Sequence, residues 1–536
     1  MNPGPKRVVK EMLIEDIVRE FPNLVPVLRD LGITCIQCGE PLWGTLEENA
    51  RDRGITDMDG LTGTLNRHID EPFDQPARET RFLVPDTEIM NILTEALEQM
   101  NAGFTDLPPA MPHVDQDGLR KVLRETALRM QDNYPYFHPL YAGQMLKPPH
   151  PAARLAYMLA MWINPNNHAL DGGRATSAME KEAVAEIAGM FGWKNFLGHL
   201  TGGGTMANLE ALWIAGCTRP GERIVASELA HYTHERISNV LKLDFESIPA
   251  DPLGRMDVQA LESALQKGNV GTVVATVGTT GTGSVDPLPE ILALREKYGF
   301  RLHADAAYGG YYILADNLAA ETGRAYRCLD QADSIVIDPH KHGLQPYGCG
   351  CILFRDPETG RFYRHDSPYT YFTSPELHLG EISLECSRPG ASAAALWATQ
   401  RLLPLTREGR FAKELEQCRK AALDLYDRLS ADDRFLTLFP PELDILTWAV
   451  RGDSASRISE RSRKLFDLAA RKHLHLAVFK YPSRLLKSLW PGVTFESDQV
   501  TCLRSCLMKP DHAEWTGHIW QILDECAQMI FSEAEN

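Results

Sequence analysis

The sequence predicts an α/β protein: a mostly parallel sheet flanked by helices, with a smaller α+β domain at the C-terminus and a helical unit at the N-terminus. Three observations carry this. Between about residues 135 and 405, short apolar β-rich runs alternate with helical ones, the pattern of βαβ units. From about residue 406 a long helical stretch is followed by two strand-like runs around a further helix. Before residue 70, apolar residues recur at helical spacing. The division is therefore 1–70 helical domain, 71–134 linker and arm, 135–405 large domain and 406–536 C-terminal small domain.

In the first unit Leu24, Val27, Leu28 and Leu31 fall on one face of a helix that Gly32 can end through a left-handed cap. Cys35 and Cys38 follow as a Cys-x-x-Cys pair, and Thr45-Leu46-Glu47-Glu48 has capping-box spacing, which opens another helix. Glu71 to Thr80, rich in proline and charge, reads as a linker. Asp86 to Gln131 reads as helical with a proline-rich interruption at Leu107 to Pro112. In the large domain Val273 to Val277 is a buried strand. Asp286 and Pro287 then supply an N-cap and a first-turn proline for a helix carrying Leu288, Ile291 and Leu292 inward. Arg301 to Ala304, Ser334 to Ile337 and Cys351 to Phe354 are the next strands. The small domain opens with a helix from about Arg407. Strands at Asp444 to Val450 and Thr501 to Leu507 then enclose a helix near Ser459 to Lys472.

Composition narrows the function. The chain has 536 residues, 55 Lys plus Arg against 72 Asp plus Glu, and a net charge of −17. A polyanion is held mainly by Lys and Arg, so nucleic acid and anionic membranes are not expected partners. The longest apolar run, Leu155 to Ile163, is far short of the ~20 residues a bilayer needs. Met1 to Glu20 lacks the apolar core of a secretion signal, and the 11 Cys are too sparse for a disulfide scaffold. The expected compartment is the cytoplasm.

The chemistry concentrates in four runs. Asp338-Pro339-His340-Lys341-His342 follows the apolar strand Ser334 to Ile337, and a lysine expelled at the carboxyl end of a buried strand is primed to form an imine. Leu200 to Asn208 places three glycines and Thr205 before a helix read as Ala207 to Gly216, which makes an anion site. It lacks the lysine of a nucleotide-triphosphatase loop. His303-Ala304-Asp305-Ala306-Ala307 puts a carboxylate among small residues at the end of another strand, and Ser227 to His231 puts an imidazole after a further one. Each has an ordinary reading alone: a solvated loop lysine, a tight turn, a capping carboxylate, a structural histidine. Together they supply an imine-forming amine, a phosphate cradle, a carboxylate for a ring nitrogen and a stacking ring, the parts of a pyridoxal 5'-phosphate site.

In order and wording these segments closely resemble the group II pyridoxal-phosphate-dependent decarboxylases, the family of aromatic amino acid, glutamate and tyrosine decarboxylases, most strongly over about 135–405. The resemblance implies a fold-type I architecture with a seven-stranded sheet and pyridoxal 5'-phosphate as cofactor, without a metal. It implies that Lys341 holds the cofactor as a Schiff base and that Asp305 pairs with the pyridinium nitrogen. Ala307 and His231 would lie on the two ring faces, His231 also serving catalysis. Gly204 and Thr205 align with the phosphate-binding pair, Thr280 lies near them, and His340 stands beside the lysine. Arg388 of Ser387-Arg388-Pro389-Gly390 matches an arginine associated with the substrate carboxylate; its plain alternative is a surface or capping arginine.

Asp366 to Thr373 matches a loop whose tyrosine protonates the carbanion. Tyr369 and Tyr371 are both candidates, and both could instead pack at a dimer interface. Leu140 and Tyr141 align with substrate-pocket positions that are aromatic in the aromatic amino acid enzymes, so Leu140 departs from that pattern. His342 departs from the usual Trp or Met. Arg174 is in reach of an acidic substrate side chain, or else is a solvated loop arginine. A homodimer with the active site at the subunit interface is implied, with an amino acid as small-molecule substrate.

The N-terminal unit resembles the small helical domain that accompanies hybrid-cluster proteins, through Phe21-Pro22, Gly32-Ile33-Thr34-Cys35-Ile36-Gln37-Cys38 and Thr45 to Glu48. Its cysteine pair is open between a redox-active dithiol, half of a metal site and an inert pair. The expected activity is decarboxylation of an L-amino acid to its amine and carbon dioxide. The alternatives are a carbon–carbon lyase resembling the sphingosine phosphate lyases and a redox sensor acting through Cys35 and Cys38.

Overall fold

Seven short runs supply the central sheet, the inner ones, such as Val270–Thr276 and Ser334–Ile337, rich in Val and Ile. The computed structural model describes residues 7–532 apart from 22–23, 25–26, 29–30, 32, 34–35, 38–39, 42–43, 52–53, 71–82, 84–86, 109–113, 169 and 364–382. The strands are β1 (Leu197–Thr201), β2 (Arg223–Ser227), β3 (Phe245–Ile248), β4 (Val270–Thr276), β5 (Arg301–Asp305), β6 (Ser334–Ile337) and β7 (Gly350–Phe354). Their spatial order is β1-β7-β6-β5-β4-β2-β3. β4 and β6 are buried along their whole length, as strands covered on both faces must be.

Strand β7 runs antiparallel to both neighbours, whereas β6, β5, β4, β2 and β3 are parallel in sequence. Two reversals cancel, so β1 points the same way as β6. The carboxyl ends of β1, β2, β4, β5 and β6 therefore open on one edge, where ligands of such sheets bind.

The helices flanking the site are α1 (Leu170–Met190), α2 (Gly204–Thr218), α3 (Thr233–Leu241), α4 (Leu288–Tyr298) and α5 (Gly390–Leu402). Two differ from expectation. Helix α2 starts at Gly204, three residues before the expected Ala207, with Gly203 as its non-helical cap. Helix α4 begins after Pro287 with no side-chain cap, and Asp286 does not cap it. Asp286 instead accepts the Met256 and Thr276 amides at 2.7 Å each, and its complete burial pushes its carboxyl up to about 6 against those hydrogen bonds.

The C-terminal part adds a four-stranded antiparallel sheet of β8 (Phe435–Thr437), β9 (Ile445–Val450), β10 (Ala477–Pro482) and β11 (Gln499–Cys506), in the order β8-β9-β11-β10. Helices α6 (Arg410–Ser430) and α7 (Ala455–Arg471) pack on it, and α8 (His512–Ser532) packs against both helices. In α7 the buried residues Ala455, Ile458, Ser462, Leu465 and Ala469 follow the helical repeat, which is why the chain turns this face to the sheet. Strands β8 and β10 were not foreseen. The first is three residues long, and the second is interrupted by Lys480 and Pro482, so neither has a clean apolar alternation.

The chain divides into two units, Met1–Tyr141 and Ala142–Asn536. The first has its own core of Ile14, Ile17, Leu24, Leu28, Leu46 and Leu65. Leu24 and Leu28 are buried, Val27 is half-buried and Leu31 is exposed, and the Leu31 amide bonds to the Val27 carbonyl at 3.0 Å. The capping box forms: Glu48 Oε2 accepts the Thr45 amide at 2.7 Å, and Thr45 Oγ1 accepts the Glu48 amide at 3.2 Å. Gly32, Cys35, Cys38 and the Glu71 to Thr80 linker lie outside the described residues. The arm contains helices Thr87–Ala102 and Gln116–Met130. No described helix is long and apolar enough to cross a membrane.

Candidate active site

Strand β5 ends on Asp305, and one strand over β6 runs into Asp338-Pro339-His340-Lys341. The two strands pair in parallel with Asp305 opposite Val336, so Asp305 and the Lys341 turn leave the sheet together. Asp305 is buried; its Oδ2 lies 2.8 Å from His234 Nε2 and its Oδ1 accepts the Ala307 amide at 3.2 Å. Burial drives its carboxyl up. The hydrogen bond and charge of His234, with the charge of Lys341, outweigh burial and hold it below the usual carboxylate range.

Lys341 Nζ stands 3.1 Å from Asp338 Oδ2, and its side chain is 21% exposed, so the amine is reachable and electrostatically paired. His340 donates from Nδ1 to the Cys349 carbonyl at 2.8 Å and lies 4.7 Å from the Tyr347 ring. His342 turns away from this edge, buried against Asp444 at 3.2 Å. Asp444 also accepts the Tyr308 hydroxyl at 2.6 Å, so this histidine faces a buried carboxylate and not the sheet edge.

The glycines after β1 permit close approach. Gly203 caps α2 at φ +144°, where a side chain is strained. A Cβ on Gly204 would fall 2.6 Å from Asp338 Oδ2, and one on Gly350 would fall 2.5 Å from the Gly203 carbonyl carbon. The first amides of α2 have no side-chain cap, and Thr205 is exposed beside them. Glu385 reaches this turn and accepts the Gly202 amide at 2.8 Å.

His231 follows β2 and is half-buried, with Nδ1 2.8 Å from Thr233 Oγ1. Burial lowers its imidazole pKa against the opposing pull of Asp305. Ala307 is buried against Val336 and Ala207. Thr280 follows β4, and its carbonyl accepts from Arg504 at 2.8 Å. Arg388, just before α5, is no surface residue: it is 5% exposed and donates from Nη1 to Glu180 Oε1 at 2.6 Å and to the Leu200 carbonyl at 2.7 Å. Among the described residues its buried Nε and Nη2 have no hydrogen-bond partner.

Five of the sequence-derived segments thus converge on one sheet edge. Tyr141 belongs to the first unit, where it is buried with its ring edge-on to Tyr136 at 4.9 Å. Leu140, beside it, is also buried. Tyr369 and Tyr371 lie outside the described residues. Arg174 is exposed on α1, a helix rather than the expected loop. Sequence reasoning missed His234, Asp338 and Glu180 as site neighbours. The His231-x-x-His234 spacing at a helix start was a usable signal; Glu180 carried none.

These residues fit pyridoxal 5'-phosphate: an ionised buried carboxylate for a ring nitrogen, a reachable amine one strand away, an uncapped helix start behind side-chain-free backbone, and an arginine with two unsatisfied donors. The pyridoxal-dependent decarboxylase conserved domain matches residues 221–449. An L-tyrosine decarboxylase of Enterococcus faecium is 28% identical over 476 aligned positions, taking in 66% of this chain and 76% of that protein. The solved structure of Oryza sativa TDC with PLP and tryptamine superposes with a TM-score of 0.66 at 17% identity, covering 85% of this chain and 99% of that one. A probable L-tyrosine/L-aspartate decarboxylase of Methanococcus maripaludis is 31% identical over 300 positions, 54% of this chain and 75% of that protein. With sheet order, site chemistry and kinship in agreement, the chain belongs to the pyridoxal-dependent decarboxylase family.

Proposed function

We propose that this protein releases carbon dioxide from an L-amino acid and returns the amine, working as a homodimer in the cytoplasm. The observation that carries the reading is the meeting of a reachable lysine with a buried, ionised aspartate at the ends of adjacent parallel strands. Bound pyridoxal phosphate supplies an aldehyde for covalent attachment and a protonated ring that draws electrons from the α-carbon as carbon dioxide leaves. Lys341 provides the amine that takes this aldehyde. Asp305 keeps the ring nitrogen protonated, since an adjacent anion favours the charged form. His231 and Ala307 would hold the ring between them, and the α2 amides at Gly204 and Thr205, with Thr280 and His340, would hold the phosphate.

Arg388 takes the substrate carboxylate through Nε and Nη2, the two donors that no described residue satisfies. Tyr369 or Tyr371 returns the proton to the α-carbon. The arm helix Gln116–Met130, which buries no residue of its own, and the exposed Met158, Met161 and Trp162 support a dimer. The separate core of the first unit supports the domain division read from the sequence, with Cys35 and Cys38 as a redox dithiol whose loss in a double serine variant leaves turnover unchanged.

The test is a screen of the natural amino acids, beginning with L-tyrosine and L-aspartate, for amine and carbon dioxide release by purified protein supplied with cofactor. Lys341→Ala removes both the product and the visible absorbance of bound cofactor. Unchanged turnover in that variant, or no amine from any acid, overturns the reading.

A further inference from the structure

Asp305 meets a second side chain that the chemistry above leaves unused. His234 lies in the first turn of α3, three residues beyond His231, and its Nε2 is 2.8 Å from Asp305 Oδ2 with the two side chains only 1% and 6% exposed. An ionised carboxylate only accepts, so Nε2 carries the hydrogen. The other ring nitrogen, Nδ1, is buried with no hydrogen-bond partner among the described residues. His303 of β5 stands edge-on at 6.4 Å, with its own nitrogens taken up at 2.8 Å by Ser334 Oγ and Asn208 Oδ1. Among the described residues, the hydrogen bond to Asp305 is thus the one polar contact that accounts for burying the His234 ring here.

We propose that His234 is a positioning residue for the cofactor's ring nitrogen: by donating to Oδ2 it fixes the rotamer and the negative charge of Asp305, and so sets how tightly the protonated nitrogen is held. A donor to an anion in a site this dry is stronger than a neutral hydrogen bond, and removing it leaves the carboxylate free to rotate or take up a proton. The inference rests on the reading that Asp305 faces the ring nitrogen.

The experiment titrates apoenzyme with pyridoxal 5'-phosphate and with an analogue in which carbon replaces the ring nitrogen, following tryptophan fluorescence, for the parent, His234→Phe, His234→Gln and Asp305→Asn. His234→Phe weakens the natural cofactor about tenfold or more and leaves the analogue within about twofold, and His234→Gln, which keeps an amide N–H, recovers part of the loss. Equal weakening of both cofactors would mean a merely structural histidine and overturns the proposal, as does no change in either. If His234→Phe does not fold, His234→Asn, too short to reach Oδ2, carries the same comparison. Loss of discrimination in Asp305→Asn supports the underlying reading. Discrimination kept there overturns that reading, whereas a silent His234→Phe beside a responsive Asp305→Asn overturns the inference alone.

Discussion

Arg388 shows how burial assigns work to a side chain. A guanidinium with five N–H donors is expensive to remove from water, and here Glu180 and the Leu200 carbonyl engage only Nη1. Replacing Arg388 by Lys keeps a charge for Glu180 but loses the planar fork, so KM for the amino acid should rise about tenfold or more while the melting temperature moves little. Steady-state kinetics with the substrate found in the screen checks this, and an unchanged KM sinks the carboxylate assignment.

At the same scale, His303 makes the fold acid-sensitive. Burial first, and the neighbouring His234 second, push its imidazole down from 6.5 to about 3. Between those values the unfolded chain binds a proton that the folded chain refuses. The contribution to stability is therefore intact above about pH 6.5 and is lost as pH falls towards 3, at about 1.4 kcal/mol per pH unit. Urea denaturation at pH 7 and pH 5 should show the decline, and His303→Gln should shed about one proton's worth of slope. An unaltered slope in that variant removes His303 as its source.

Among the elements, the turn between β1 and α2 has the least freedom. Two backbones and Asp338 converge on it, so Gly204→Ala places a methyl 2.6 Å from a carboxylate that is itself paired with Lys341. Overpacking of this kind costs about 1–3 kcal/mol. Here the cost falls on cofactor affinity as well as on folding, and equilibrium dialysis of Gly204→Ala should show pyridoxal phosphate held at least about tenfold less tightly. A variant that folds and binds as before would show that the turn has slack. Helix α7 makes the complementary point: its repeat of buried residues was legible because it depends on nearest turns alone, and its observed span, Ala455–Arg471, starts four residues before the expected Ser459 where Ser454 accepts the Arg457 amide.

For the whole molecule, the arm helix Gln116–Met130 leaves Leu119, Val122, Leu123 and Met130 at least half exposed. Aligned apolar residues on a helix are normally covered, and a second copy is the cover proposed above. Val122→Glu with Leu123→Glu should halve the mass seen by light scattering and lower activity together, since a site built at a subunit interface is incomplete in a monomer. A double variant that stays dimeric argues for another interface.

The lysine, the glycine turn, the strand-end aspartate and the alternation of strand and helix could all be read in one dimension, because each is a local pattern of period, turn chemistry or strand termination. Contacts that join distant segments could not. His234 reaches Asp305 across 71 positions and Arg388 reaches Glu180 across 208, and such contacts depend on strand order, which no periodicity encodes. Local sequence chose which chemical groups the protein would own. Burial and strand neighbourhood, which exist only once the sheet has closed, chose which of those groups would meet and in what state of charge.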